Sequence, residues 1–188
     1  MSSVNDIFNN LKLRKSLLAL RLPIAVALAV SLVLNLDRAW FWPGLTVSAL
    51  GMLLQLWVFG CIRTREVLAV NGPYMFVRNP MYIARFLLVA GLILMTGYPW
   101  LLVILAPLYY LYMANRVKRE EPVLVAAFGA AYRDYCEHVP RFLPALRPYA
   151  KGRFAFFSLE NFQRQHGLAN LLVFSVFYVV CYVVTYRL

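Results

Sequence analysis

Histidine, cysteine and acidic side chains are all scarce in this 188-residue chain, and each scarcity excludes something. The two histidines, His138 and His166, stand well apart, so an imidazole-centred acid–base device has little to build on. Cys61, Cys136 and Cys181 are too dispersed for a disulfide framework or a zinc spacing. Cys136 and His138 make two metal ligands without partners, so no metal site is expected. The chain carries no Gly-x-Gly-x-x-Gly, no phosphate-loop lysine and no His-Glu-x-x-His. It also lacks the alternating strand and helix patterns of a soluble nucleotide-binding fold.

Charge is short as well, at 14% of residues, and strongly one-sided: 8 Asp and Glu against 19 Lys and Arg, a net charge of +11. What is abundant is apolar surface. With 62% hydrophobic residues, the composition fits an all-α integral membrane bundle and exceeds what a soluble domain of this length needs. The basic residues flank the apolar spans, where they anchor to headgroups and set topology, so the excess charge does not indicate nucleic-acid binding.

About five transmembrane helices are expected, with one amphipathic helix on the cytoplasmic side. Residues 1–16 read as a basic interfacial lead-in. Leu17 to Leu36 is the first span, too long for a signal-peptide core and read as retained. Asp37 to Trp42 reads as a tight polar and aromatic turn, and Pro43 to Ile62 as the second span. Arg63 to Asn79 is a polar loop with a turn at Asn71-Gly72-Pro73. Met81 to Thr96 and Pro99 to Asn115 make a helical hairpin joined at Gly97-Tyr98-Pro99. Pro122 is expected to restart or bend the chain into a surface helix whose apolar face carries Leu124, Phe128, Ala131, Tyr132 and Tyr135. Lys151 to Phe157 reads as an interfacial anchor, and Leu168 to Tyr186 as the last span. The segments group as 1–62, a two-helix membrane portion; 63–148, a catalytic core; and 149–188, an anchor with a C-terminal span.

All Lys and Arg residues except Arg38 and Arg187 then fall on one side, which the positive-inside rule places in the cytoplasm together with every polar cluster. Three such clusters meet this boundary: Arg78 to Tyr82, Arg116 to Glu121, and Arg133, Asp134 and Glu137 on the wetter side of the surface helix. Arg116 and Glu120 share a helix face, with Glu121 beside them. The plain reading is an ion pair ending a membrane helix; the functional one is carboxylates for a ligand's hydroxyls or amine, with Arg116 clamping an anion. Arg78-Asn79-Pro80-Met81-Tyr82 reads either as a helix start, with Asn79 capping and Pro80 in the first turn, or as part of a site with Gly72-Pro73-Tyr74.

The order of these motifs resembles the superfamily of isoprenylcysteine carboxyl methyltransferases and phospholipid methyltransferases. That pattern runs Gly-x-Tyr, Arg-His-Pro-x-Tyr-x-Gly, a helical hairpin, Arg-x-x-x-Glu-Glu, and Phe-Gly-x-x-Tyr-x-x-Tyr. Here it stands as Gly72-Pro73-Tyr74, Arg78 to Tyr82, Arg116 to Glu121, and Phe128 to Tyr135, over roughly residues 66–144. The resemblance implies an integral membrane enzyme that uses S-adenosylmethionine (SAM) to methylate a lipophilic acceptor, an isoprenylcysteine carboxylate or a phospholipid amine, entering from the bilayer. It implies that Leu68, Tyr74, Asn79, Pro80, Met81, Tyr82 and Glu120 hold the cofactor. Arg116 would face the acceptor's polar head, and Glu121 would take the proton of an amine acceptor. Two positions depart from the pattern: Asn79 replaces its histidine and Ala84 its glycine. A membrane reductase of related architecture binding NADPH, and a scaffold without activity, are the competing readings.

Overall fold

The computed structural model describes residues 20–62 and 66–187, and among these it forms six α-helices, one 3-10 turn and no strand. The expectations for residues 1–19 and 63–65 lie outside the described residues. The helices are α1 (Arg21–Leu34), α2 (Arg38–Cys61), α3 (Pro80–Leu94), α4 (Leu101–His138), α5 (Leu159–Arg164) and α6 (Gly167–Tyr186); the 3-10 turn is Gly72–Met75.

Two helices, α2 with 24 residues and α6 with 20, are long and apolar enough to cross a bilayer. The apolar stretches Leu22–Leu34 and Pro80–Leu94 are shorter. α2 begins earlier than its sequence suggests. The Asp37 carboxylate accepts hydrogen bonds from the Ala39 and Trp40 amides at 2.9 and 3.0 Å, so the expected turn at 37–42 is a cap followed by helix, and Pro43 sits inside it.

The largest interface joins α2 to α3 and is built from small residues. Gly44, Ser48 and Gly51 face Ala84, Leu88, Gly91 and Met95, and a methyl on Gly51 or Gly91 would strike the facing backbone. Ser48 Oγ donates to the Leu88 carbonyl at 3.0 Å and lies 2.8 Å from the Tyr178 hydroxyl, which ties α6 to the pair. The start of α2, the end of α3 and the end of α6 meet at one end of the bundle. There the Asp37 amide donates to the Met95 carbonyl at 2.9 Å, and Arg38 Nε donates to the Thr185 carbonyl at 2.9 Å.

The expected restart at Pro122 does not occur. α4 runs 38 residues through Pro107 and Pro122, and the backbone leaves helical geometry only at Gly129, with φ 51 and ψ −122. A proline removes one helical hydrogen bond, which a long helix absorbs; a positive φ does break the helix, and glycine supplies it without strain. Beyond the bend Tyr132 and Tyr135 turn into a buried cluster with Met75, Val139 and Tyr149, flanked by Leu124 and Phe128. Ala131, expected on this face, is exposed.

The segment 139–149 then runs back along 75–78 as a strap. The Arg78 amide donates to the Pro140 carbonyl, the Ala145 amide to Phe76 and the Tyr149 amide to Met75, at 2.7–2.9 Å. The expected interfacial anchor docks on the end of α2: Trp57 Nε1 and Cys61 Sγ both donate to the Phe156 carbonyl. α5, which the sequence reading did not foresee, is capped by Ser158 and follows directly.

Candidate active site

Three elements converge on one cleft of about 460 Å³: the 3-10 turn with the segment before it, the first two turns of α3, and the middle of α4. Gly72 opens the 3-10 turn at φ 57, and a side chain there would press on Cys61 Sγ at 2.6 Å. Tyr74 is buried, and its carbonyl accepts a 2.6 Å hydrogen bond from the Tyr135 hydroxyl, which locks the turn onto α4. Pro80 occupies the first turn of α3, where its missing N–H is no loss.

Glu120 joins the two helices. Its Oε1 accepts from Arg116 Nε at 2.9 Å, and its Oε2 accepts from the Tyr82 hydroxyl at 3.0 Å. Tyr109 donates to the Tyr82 carbonyl at 2.8 Å from the same side of α4. Arg116 and Glu120 are about half exposed, at 46% and 45% of their side chains, and Arg116 also reaches the Tyr112 hydroxyl.

Glu121 is held differently. Arg78 Nη1 donates to its Oε1 at 3.1 Å, and Arg141 donates to both its oxygens at 2.8 and 2.6 Å. Side-chain exposure of 12% for Arg78 and 16% for Glu121 makes this a mostly buried brace between the segment leading into α3, the middle of α4 and the strap. The hydrogen bonds that Arg141 donates to the Glu121 carboxylate raise its pKa above the ordinary value, which secures the cation. Accepting a proton would require Glu121 to give up a guanidinium, so the geometry makes it a brace before it makes it a base. Arg78 Nη1 also approaches Cys136 Sγ at 2.8 Å, while its buried Nε has no hydrogen-bond partner.

Leu68, Tyr74, Asn79, Met81, Tyr82, Arg116, Glu120 and Glu121 all line the cleft, as the sequence grouped them. Pro80 does not line it; it is buried beneath the helix start. Asn79 does not cap α3 with its side chain. Its amide donates instead to the Arg141 carbonyl at 3.1 Å, another tie to the strap. Ala84 lies away from the cleft, fully buried against α2, so its methyl belongs to helix packing.

Sequence reasoning missed four contributors. Arg141 was legible only as one of many basic residues, because its partner is 20 positions distant. Leu124 and Phe128 were read as packing residues, yet they form part of the apolar wall. Arg85 was counted only for topology, although it lines the cleft; its signal was a lone charge inside the apolar run of α3.

The family described as Phospholipid methyltransferase matches residues 46–131, a stretch that includes most of α2, all of α3 and α4 as far as the bend. Over 122 residues, 64% of this chain, the sequence is 31% identical to a Nickel-cobalt-cadmium resistance protein of Alcaligenes xylosoxydans xylosoxydans. Over 81 residues, 43% of the chain, it is 28% identical to a Protein-S-isoprenylcysteine O-methyltransferase of Schizosaccharomyces pombe. These alignments span 56% and 34% of the two relatives' own lengths. No solved structure matches significantly. The family match takes in most of the residues that line the cleft.

Proposed function

The chain belongs to the superfamily of phospholipid and isoprenylcysteine carboxyl methyltransferases, and from that premise we propose that it transfers a methyl group from SAM to a lipophilic acceptor at the membrane boundary. The observation that carries this reading is a cleft in which carboxylate, phenol and guanidinium groups face an apolar wall. Its volume of about 460 Å³ suits a small-molecule cofactor.

The donor set fits SAM. Glu120 offers a carboxylate for hydroxyl or ammonium groups, and Arg78 offers a buried donor without a partner for a carboxylate. Tyr74, Tyr82, Leu68 and Met81 supply aromatic and apolar walls for a base and a sulfonium. Bound there, SAM would supply a methyl carbon on a sulfonium sulfur, and that sulfur would keep the carbon–sulfur bonding electrons as the acceptor's lone pair took the methyl. The protein's task is then alignment and exclusion of water. Glu120 and Tyr82 fix the spacing of α3 and α4 around the cleft, and the brace of Arg78, Glu121 and Arg141 fixes the strap beneath it. Arg116, at the half-exposed rim, meets the acceptor's head. An amine acceptor has a proton to lose, and Glu120 is the carboxylate with room to exchange partners.

The acceptor enters from the bilayer and the cofactor from the cytoplasm, with five spans placing the cleft on the cytoplasmic side. The test is incubation of purified protein with isotopically labelled SAM and a total lipid extract, followed by mass analysis. Label appearing in a lipid is the expected result. No labelled lipid, together with no calorimetric SAM binding, overturns the proposal.

A further inference from the structure

We propose that Arg85 forms an oxyanion site at the membrane-side edge of this cleft, and that the molecule it holds is an amphiphile bearing a carboxylate or a phosphate ester. The proposal rests on the methyl-transfer reading for the role of that amphiphile as acceptor, and on the structure alone for the site.

Four arginines line the cleft, Arg78, Arg85, Arg116 and Arg119, against two glutamates. Both glutamates are already engaged: Glu120 with Arg116 and Tyr82, Glu121 with Arg78 and Arg141. No carboxylate remains for Arg85, which makes no hydrogen bond or ion pair with any described residue. A cofactor with a net positive charge would deepen this imbalance. A guanidinium in a cleft bordered by apolar helix is stabilised most by an oxyanion that matches its planar fork.

Position adds the second half of the argument. Arg85 lies five residues after Pro80, about 7.5 Å further along the helix axis. It is exposed, while the nine residues that follow, Phe86 to Leu94, are all apolar or glycine. Phe86 packs on Tyr109 with ring centroids 5.4 Å apart, so the wall beside the cation is aromatic. The chain therefore presents one cation and then a continuous apolar surface in the direction of the bilayer. An anionic head with an aliphatic tail fits that sequence of surfaces; a cationic or neutral head leaves the arginine uncompensated.

The experiment measures binding of dodecyl phosphate, dodecanoate, dodecanol and dodecyltrimethylammonium to full-length protein in a non-ionic detergent. The variants are Arg85→Gln, Arg85→Lys and Arg133→Gln; Arg133 is an exposed cation on α4 outside the cleft. Thermal unfolding in the same detergent establishes that each variant folds. At least one of the two anions should bind the wild type more tightly than the alcohol or the ammonium. That affinity should fall roughly 10- to 100-fold in Arg85→Gln, less in Arg85→Lys, and not at all in Arg133→Gln. Which anion responds distinguishes a phosphate ester from a carboxylate. An equal loss in Arg133→Gln means general attraction to a basic surface and overturns the site, as does unchanged binding in Arg85→Gln or the absence of any preference for anions. SAM titration of the same samples keeps the two proposals apart. Failure of the wild type to bind SAM overturns methyl transfer and leaves the anion site standing, whereas SAM binding with no Arg85-dependent anion affinity overturns only the site.

Discussion

Glu120 and Glu121 are neighbours in sequence and differ in what holds them. Glu120 is half exposed and shares its oxygens between Arg116 and Tyr82, whereas Glu121 is mostly buried between two guanidiniums. Glu120→Gln should therefore weaken SAM binding about tenfold or more, with little change in stability, because an exposed pair contributes under about 1 kcal/mol. Arg116→Ala should leave SAM affinity near wild type and lower methyl transfer to the acceptor. Calorimetry and initial rates on both variants check this, and wild-type SAM affinity in Glu120→Gln would remove it from the cofactor site. Glu121→Gln should behave in the opposite way. It leaves the Arg78 cation buried and uncompensated, which costs about 3 kcal/mol and appears as a lowered unfolding temperature. An unchanged unfolding temperature would sink the bracing role. The four-residue spacing of Arg116 and Glu120 was legible in the sequence because it is local to a helix. The partners of Glu121 were not, because they lie 43 and 20 positions away and only the packed chain brings them together.

At the scale of elements, boundaries set by a fixed backbone preference were easier to read than the start of α2 or the course of α4. Pro80 at the head of α3 and the turn at Gly72-Pro73 follow from fixed backbone preferences, so they stand where expected. The division of α4 was misplaced because proline is the stronger local punctuator on paper; in a long helix it removes a single bond, while Gly129 reverses the sign of φ. Ala84 shows the same limit, since its sequence position could not tell a cleft-facing methyl from one facing α2. The face it belongs to yields a prediction. Gly91→Ala sets a methyl against the backbone at Ser48 and Gly44, and overpacking of this kind costs about 1–3 kcal/mol, measured as loss of thermal stability in detergent. Ala84→Gly, on the same face, should leave SAM affinity unchanged. A clear change in that affinity would return Ala84 to the cleft.

Across the whole molecule, the bundle has two chemically different ends. One carries Arg38 and Arg187 with the aromatic group of Phe41, Trp42, Tyr182 and Tyr186, whose rings lie 5.3–6.4 Å apart. The other carries the cleft, its arginines and the strap, and its charge follows the basic loops. Helices α2 and α3 run between these ends in opposite directions, so Tyr98, at the joint after α3, and Arg147, in the strap, occupy opposite ends. If the bilayer surrounds the apolar middle, the positive-inside rule puts Arg147 in the cytoplasm and Tyr98 outside it. Tyr98→Cys and Arg147→Cys, each introduced into a protein with Cys61, Cys136 and Cys181 replaced, should then label from opposite sides with a membrane-impermeant thiol reagent. Both residues are exposed, so reactivity reports the side and not burial. Labelling of both from one side would mean that α2 and α3 do not cross the membrane as a pair. The cleft would then open at an interface without spanning helices on either side of it, and lateral entry of a lipid from the bilayer would lose its structural basis.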